Sequence, residues 1–317
     1  MERMDVLTDV LQTVRARAAC SGRVEASAPW GIELGGGDHA RFHVIIEGRV
    51  WLKVDGASEP IELAGGDLVA LPHGDGHVLC DVVGSPVRPM SEILATKREG
   101  ADRVTIGGSG ARATVVTGRI EFEDRRGNPL LAVLPPVMVL RGELARSVHW
   151  LEPTLRILAC ETASGRPGAE TVVSRLADVI FIQIVRGHLA ALGSDAKGWL
   201  AALGDAQIGR ALAFVHQNPE RGWTVQELAH EVAMSRSAFA ARFTRLVGEP
   251  PLHYVTRWRM QKAASLLREG SSTIAQIAES VGYDSEAAFS KAFKRAMGSA
   301  PGAYRRASRP STYPVAA

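Results

Sequence analysis

Little in this chain identifies its class at a glance. Its 317 residues include only three cysteines, Cys20, Cys80 and Cys160, odd in number and far apart. That excludes a disulfide framework and fits a reducing compartment. No run of 18 apolar residues occurs, so no membrane-spanning helix and no membrane partner are expected. The opening residues MERMDVLTDV are acidic and amphipathic, without the basic stretch and apolar run of a secretory signal, and a cytoplasmic location is expected. Aromatic residues make up only 6% of the chain, so a regular placement of them carries weight.

Charge is present but unevenly spread. Residues 205–317 hold 15 Lys and Arg against 9 Asp and Glu, a net +6, whereas residues 1–204 hold 22 against 25. A basic last third on a mildly acidic remainder suggests a module that binds a polyanion.

That third repeats itself. Thr224, Leu228, Ala229 and Val232 recur at an offset of 49 as Thr273, Ile277, Ala278 and Val281. Phe239, Phe243, Gly248, Pro251 and Tyr254 recur at an offset of 50 as Phe289, Phe293, Gly298, Pro301 and Tyr304. Each unit opens on a capping box, Thr224 with Glu227 and Thr273 with Gln276, which starts a short helix. A tight turn follows, then a second helix whose two phenylalanines share one face. Two short helices joined by such a turn make a helix-turn-helix, whose second helix enters the DNA major groove. The rings anchor that helix to its own small core, and its slim outer face is free to fit a groove.

By position, the first recognition helix offers Arg236, Ser237, Ala240, Ala241 and Thr244 to base edges, and the second offers Glu286, Ala287, Ser290, Lys291 and Lys294. Arg242, Arg245 and Arg295 sit toward the flanks and suit phosphates. Between the units, PLHYVTRWRMQKAASLLREG has helical apolar spacing and makes a connecting helix, with Arg257, Arg259 and Lys262 as candidate phosphate contacts. The first recognition helix is poor in long donors, so the second, or DNA shape, is expected to carry much of the specificity. Over residues 205–306, the double motif with IAESVGYDSEAAFSKAFKRAMGSAPGAYRR as its second half closely resembles AraC/XylS-type transcription regulators. The resemblance implies double-stranded DNA at promoter sites and RNA polymerase as partners, with both motifs docked in successive major-groove segments.

Toward the N-terminus, Leu7, Val10, Leu11 and Val14 give one apolar helical face. From about residue 23 the texture changes to short alternating runs punctuated by Gly and Asp, the pattern of an antiparallel jelly-roll or barrel. In GDLVALPHGDGH, the residues Gly66, Pro72, Gly74 and His77 reproduce the second cupin motif. The first motif departs from the family: His39 and His43 form no His-x-His pair, so no metal is expected. His43, His77, Cys80 and Cys20 remain candidate sensor residues, either as an atypical zinc cluster or as a redox pair of Cys20 and Cys80, with His77 lowering the Cys80 thiol pKa. For both cysteines the alternative is a simple packing role. The resemblance implies a cupin-like domain that senses a small effector or an oxidant.

Residues 145–192 return to helix. The second of these helices, from about Ala169, is apolar nearly all round, so it must be covered on more than one side, by its own barrel and by either a second subunit or further intramolecular core. The chain is therefore expected to be multidomain: an N-terminal all-β cupin-like barrel with a helical hairpin over 1–192, a linker over 193–205, an all-α double helix-turn-helix over 206–306 and a tail over 307–317. The leading function is a sequence-specific, homodimeric DNA-binding transcription regulator without cofactor. The alternative is a metal-dependent cupin enzyme with a helical appendage. A DNA alkylation-repair sensor is disfavoured because no closely spaced cysteines occur.

Overall fold

Alternation along short strands and 3.6-residue periodicity along helices give the molecule its two kinds of element. The computed structural model describes residues 6–14, 16–95, 103–122, 128, 130–142, 153–154, 157–158, 160–161, 166–191 and 198–308, with the side chains of 14, 16–21 and 191 outside the description. The chain forms two compact units. One is helical and gathers Met1–Arg15, Asp124–Val133 and Leu192–Ala317; the other comprises Ala16–Glu123 and Leu134–Ala191. The opening helix α1 (Val6–Val14) thus belongs to the helical unit.

The second unit carries β1 (Ala16–Ser27), β2 (Gly31–Leu34), β3 (Ala40–Glu47), β4 (Arg49–Val54), β5 (Ile61–Ala64), β6 (Leu68–Leu71), β7 (His77–Cys80), β8 (Arg88–Pro89), α2 (Met90–Ala95), β9 (Arg103–Gly107), β10 (Arg112–Phe122), β11 (Met138–Leu140) and α3 (Ala169–Ala191). Six strands form one sheet in the order β11-β6-β3-β10-β1-β9, and five form another, β5-β4-β7-β2-β8. Most pairs are antiparallel; β1 with β9 and β2 with β8 are parallel. The sheets stay open, a cupin-like sandwich rather than a closed barrel. Their facing side chains make one core, with Val24, Ile45, Val69, Leu71 and Val115 from the first sheet against Ile32, Leu34, Val50, Leu52 and Leu79 from the second. Strand β4 shows the alternation plainly: Val50, Leu52 and Val54 are buried, while Arg49, Trp51 and Lys53 are not.

Strand β6 is buried at every residue because the outer face of its sheet is covered too. Helix α3 packs on β1, β6 and β11. Phe181 meets Phe122 edge-on at 5.9 Å, and a Cβ at Gly187 would stand 2.7 Å from Leu140. Val173, Ala177, Ile180, Ile184 and Val185 are buried, which accounts for one side of this helix; Val172 and Val179 on the other side remain exposed. The first helix of the expected hairpin falls mostly outside the described residues.

The helical unit continues with α4 (Trp199–Ala202), α5 (Ala206–Gln217), α6 (Val225–Glu231), α7 (Arg236–Val247), α8 (Pro251–Glu269), α9 (Ile274–Ser280), α10 (Glu286–Met297) and α11 (Pro301–Ala307). Part of the expected linker 193–205 is folded. Trp199, Leu200 and Ala202 are buried, and the Gly198 N–H donates to the Leu246 carbonyl at 2.7 Å. Burying an indole and a leucine is worth about 1.5–3 kcal/mol each, reason enough for these residues to pack rather than span. Asp205 then caps α5 by accepting from the N–H groups of Gln207 and Ile208. Residues 309–317 of the expected tail lie outside the described residues.

Candidate nucleic-acid interface

Each repeat folds as its signals dictate. Thr224 and Glu227 form a reciprocal capping box at α6, and Thr273 and Gln276 form one at α9. Ser235 and Ser285 cap the recognition helices α7 and α10 by accepting from the N–H groups of Ala238 and Ala288. Phe239 and Phe243 lie 5.6 Å apart and fully buried; so do Phe289 and Phe293. Seating these rings leaves the opposite faces outward. Arg236, Ser237, Ala241 and Thr244 are exposed on α7 with Ala240 half-buried, and Glu286, Ala287, Lys291 and Lys294 are exposed on α10 with Ser290 half-buried.

The structure sorts the candidate cations into two groups. Arg236, Arg245, Lys291, Lys294 and Arg295 are exposed and make no hydrogen bond or ion pair among the described residues. The rest are engaged within the unit. Arg242 donates to Asp205 at 2.6 and 3.1 Å and to Gln207 at 2.9 Å. Arg257 donates to Glu249 at 2.6 and 2.9 Å and lies 5.0 Å over the Tyr254 ring. Arg259 donates to the carbonyls of Pro219 and Arg221 at 2.6 and 2.8 Å, and burial pulls its pKa below the ordinary guanidinium value. Lys262 pairs with Asp9 at 2.9 Å. These four brace helices, which the sequence does not reveal because an arginine on a polar face looks alike whether it meets a carboxylate of the protein or a phosphate.

In the sandwich, the turn of the second cupin motif depends on Gly74. Its φ is +76°, and a Cβ there would lie 2.2 Å from the Gly37 carbonyl oxygen, so only glycine fits. The turn leads into β7, where His77 meets His43 of β3 across the core, Nε2 to Nε2 at 2.8 Å. His77 Nδ1 donates to the Asp75 carbonyl at 2.9 Å, so its Nε2 accepts from His43, whose Nδ1 has no partner among the described residues. Burial, then His77 and Arg41, hold the His43 pKa well below the usual imidazole value, and burial lowers that of His77. Both shifts favour the neutral rings. A cupin-type metal ion needs further protein ligands, and no group of three His, Cys, Asp or Glu fit to hold one occurs among the described residues.

Cys80 does not share the histidine's surroundings. Residues three apart on a strand point to opposite faces, so His77 turns inward and Cys80 away from it. Burial and then Asp81 push the Cys80 thiol up rather than down, against the expectation that His77 lowers it. The side chain of Cys20, on β1, lies outside the described residues. Also among the described residues, no helix is long and apolar enough to cross a membrane.

Residues 5–190 match the sequence profile of a family described as Cupin, and residues 228–307 match one described as Helix-turn-helix domain. A Streptomyces antibioticus protein described as an AraC-like transcription regulator is 37% identical over 306 residues, covering 96% of this chain and 99% of its own length. The HTH-type transcriptional regulator AlkR of Acinetobacter baylyi is 32% identical, covering 96% and 100%. The RCS-specific HTH-type transcriptional activator RclR of Escherichia coli is 27% identical, covering 95% and 97%.

Proposed function

The chain belongs to the AraC family of DNA-binding transcription regulators with a cupin-like N-terminal domain, and from that premise we propose how its parts work. Helices α7 and α10 read two successive major-groove segments. The readers are Arg236, Ser237, Ala240, Ala241 and Thr244 in the first, and Glu286, Ala287, Ser290, Lys291 and Lys294 in the second, with Arg245 and Arg295 on phosphates. Lys291 suits guanine, Glu286 suits the cytosine amino group, and the alanines suit a thymine methyl. The observation that carries this reading is the paired geometry: two helices seated by identical buried phenylalanine pairs, each turning small, polar and cationic side chains outward.

The sandwich is the sensor. Its signal, a small effector or an oxidant, acts on the His43–His77 pair and on Cys80 and Cys20, and shifts the population of DNA-competent conformers. A second copy covers the exposed Val172 and Val179 side of α3, which makes the protein a homodimer. It acts in the cytoplasm with RNA polymerase at promoters, and no catalytic step is assigned.

A DNase footprint on the DNA flanking its own gene, with reduced and oxidised protein side by side, tests this. Protection of two adjacent major-groove segments is expected. Protection of a single segment, or none on any duplex of that region, counts against paired reading. Identical footprints in both states count against the cysteines as the switch.

A further inference from the structure

The residues matched to the cupin family begin at 5, yet α1 packs on α5 and α8 inside the helical unit. Val6, Leu7 and Val10 are buried there, and so are Asp9 and Thr13. A carboxylate with 1% of its side chain exposed is costly unless fully paired. Asp9 is paired on both oxygens. His216 Nδ1 of α5 donates to one at 2.9 Å, and Lys262 Nζ of α8 donates to the other at 2.9 Å. Burial alone would raise the Asp9 pKa, but these two partners outweigh it and hold the carboxyl below its ordinary value.

The network does not stop at His216. Its Nε2 accepts from the Tyr254 hydroxyl at 2.7 Å, and its ring stacks on Trp258 at 3.9 Å. Tyr254 meets Phe243 of the first recognition helix edge-on at 5.8 Å. The equivalent tyrosine of the second repeat, Tyr304, meets Phe293 edge-on at 5.4 Å. Its hydroxyl accepts from Arg268 at 2.7 Å, and the same guanidinium donates to the Thr13 carbonyl at 3.3 Å. Both tyrosines that brace the recognition helices are therefore connected to α1, one through His216 to Asp9 and the other through Arg268 to the end of the helix. On the chain, β1 begins two residues after α1 ends.

We propose that α1 is a positioning element for DNA reading: through Asp9 and Thr13 it fixes the two recognition helices relative to each other. This rests on the reading of α7 and α10 as paired groove readers. Two motifs held in fixed relation bind a two-part site far more tightly than either half, because the second contact is intramolecular. Loosening their relation costs that gain and leaves each single contact intact. A merely structural role for α1 would weaken full and half sites alike.

The test compares full-length wild type, Asp9→Asn and Tyr254→Phe on the duplex protected in the footprint and on two versions with one or the other segment scrambled. Asp9→Asn keeps the shape and removes the charge that Lys262 pairs with; Tyr254→Phe removes only the hydroxyl and serves if the Asp9 variant does not fold. Each variant is expected to lose about tenfold in affinity on the intact duplex and stay within about twofold of wild type on the scrambled ones. Equal losses on all three duplexes, or no loss on the intact one, overturn the proposal. Wild type that binds the intact and scrambled duplexes equally overturns the paired reading itself, and the proposal with it.

Discussion

Between the two helix-turn-helix motifs, Phe239 and Phe243 become Phe289 and Phe293 with the same 5.6 Å ring separation, but Arg242 becomes Ala292 and Ala233 becomes Gly282. The first recognition helix is tied by Arg242 to Asp205 at the start of α5. Nothing equivalent is available to Ala292, and the second helix instead presents Lys291, Lys294 and Arg295 without partners among the described residues. The first motif spends a cation on holding itself in place; the second leaves its cations to solvent, or to DNA. The two motifs thus share the aromatic anchor and the caps and differ on the surface.

The sharpest way to break this comparison is to remove an anchor from each motif. Phe243→Ala and Phe293→Ala should each cost about 3–5 kcal/mol in urea unfolding. Phe243→Ala should disturb the chain from Tyr254 through His216 to Asp9, and Phe293→Ala the chain from Tyr304 through Arg268 to Thr13, with each variant losing mainly the groove segment read by its own helix. Loss of both segments in both variants would mean that the motifs are not separable.

The turns give the next effect. Gly282 has φ +77°, and a Cβ would lie 2.4 Å from the Glu220 carbonyl oxygen; Gly282→Ala should destabilise by about 2–3 kcal/mol. Ala233 already stands at φ +54°, so Ala233→Gly should be neutral or stabilising by up to about 1 kcal/mol. Melting curves of the two variants should move in opposite directions, or at least only one should fall.

On DNA, Lys291→Ala should cost about 1–3 kcal/mol of discrimination at one base pair. Arg245→Ala should weaken all sequences alike and lower the slope of log affinity against log salt by about 0.9. Binding to a panel of single-base variants at two salt concentrations separates them; matching profiles would remove Lys291 from the base readers.

The smallest effect concerns acid. Burial would raise the Asp205 pKa, but the Ile208 N–H, Arg242 and the Gln207 N–H hold it below 3.8. The contribution of this buttress is therefore complete above the unfolded-chain value of about 3.9 and is lost as pH falls through the lower folded value. Wild type should lose stability in that window, and Arg242→Ala should lose less of it there.

Local signals made the helical motifs legible: caps, a repeated phenylalanine pair and a turn all lie within fifty residues of one another. The sandwich was legible as alternating strands punctuated by turns, but not as two open sheets, because pairing order is set by contacts far apart in sequence. The reach of His43 to His77 is of that kind. So is α1. Its stripe announced an apolar face over Leu7, Val10, Leu11 and Val14, while the structure buries Val6, Leu7, Asp9, Val10 and Thr13, and no periodicity says which surface a nine-residue helix will choose. One signal was available: Asp9 is a lone carboxylate one turn from Val6 and Thr13, on the side later found to be buried, and such a residue needs a cationic partner.

Asp9 and Lys262 stand 253 residues apart. A ribosome adding about 5–20 residues per second makes the helix roughly 10–50 s before the groove that receives it. The helical unit is therefore finished only after most of the chain has emerged, and the early helix must be kept from other apolar surfaces meanwhile. A gene cut between the two units would yield a last third that waits for a piece it no longer encodes, so the boundary drawn for expression decides whether the carboxylate arrives at all.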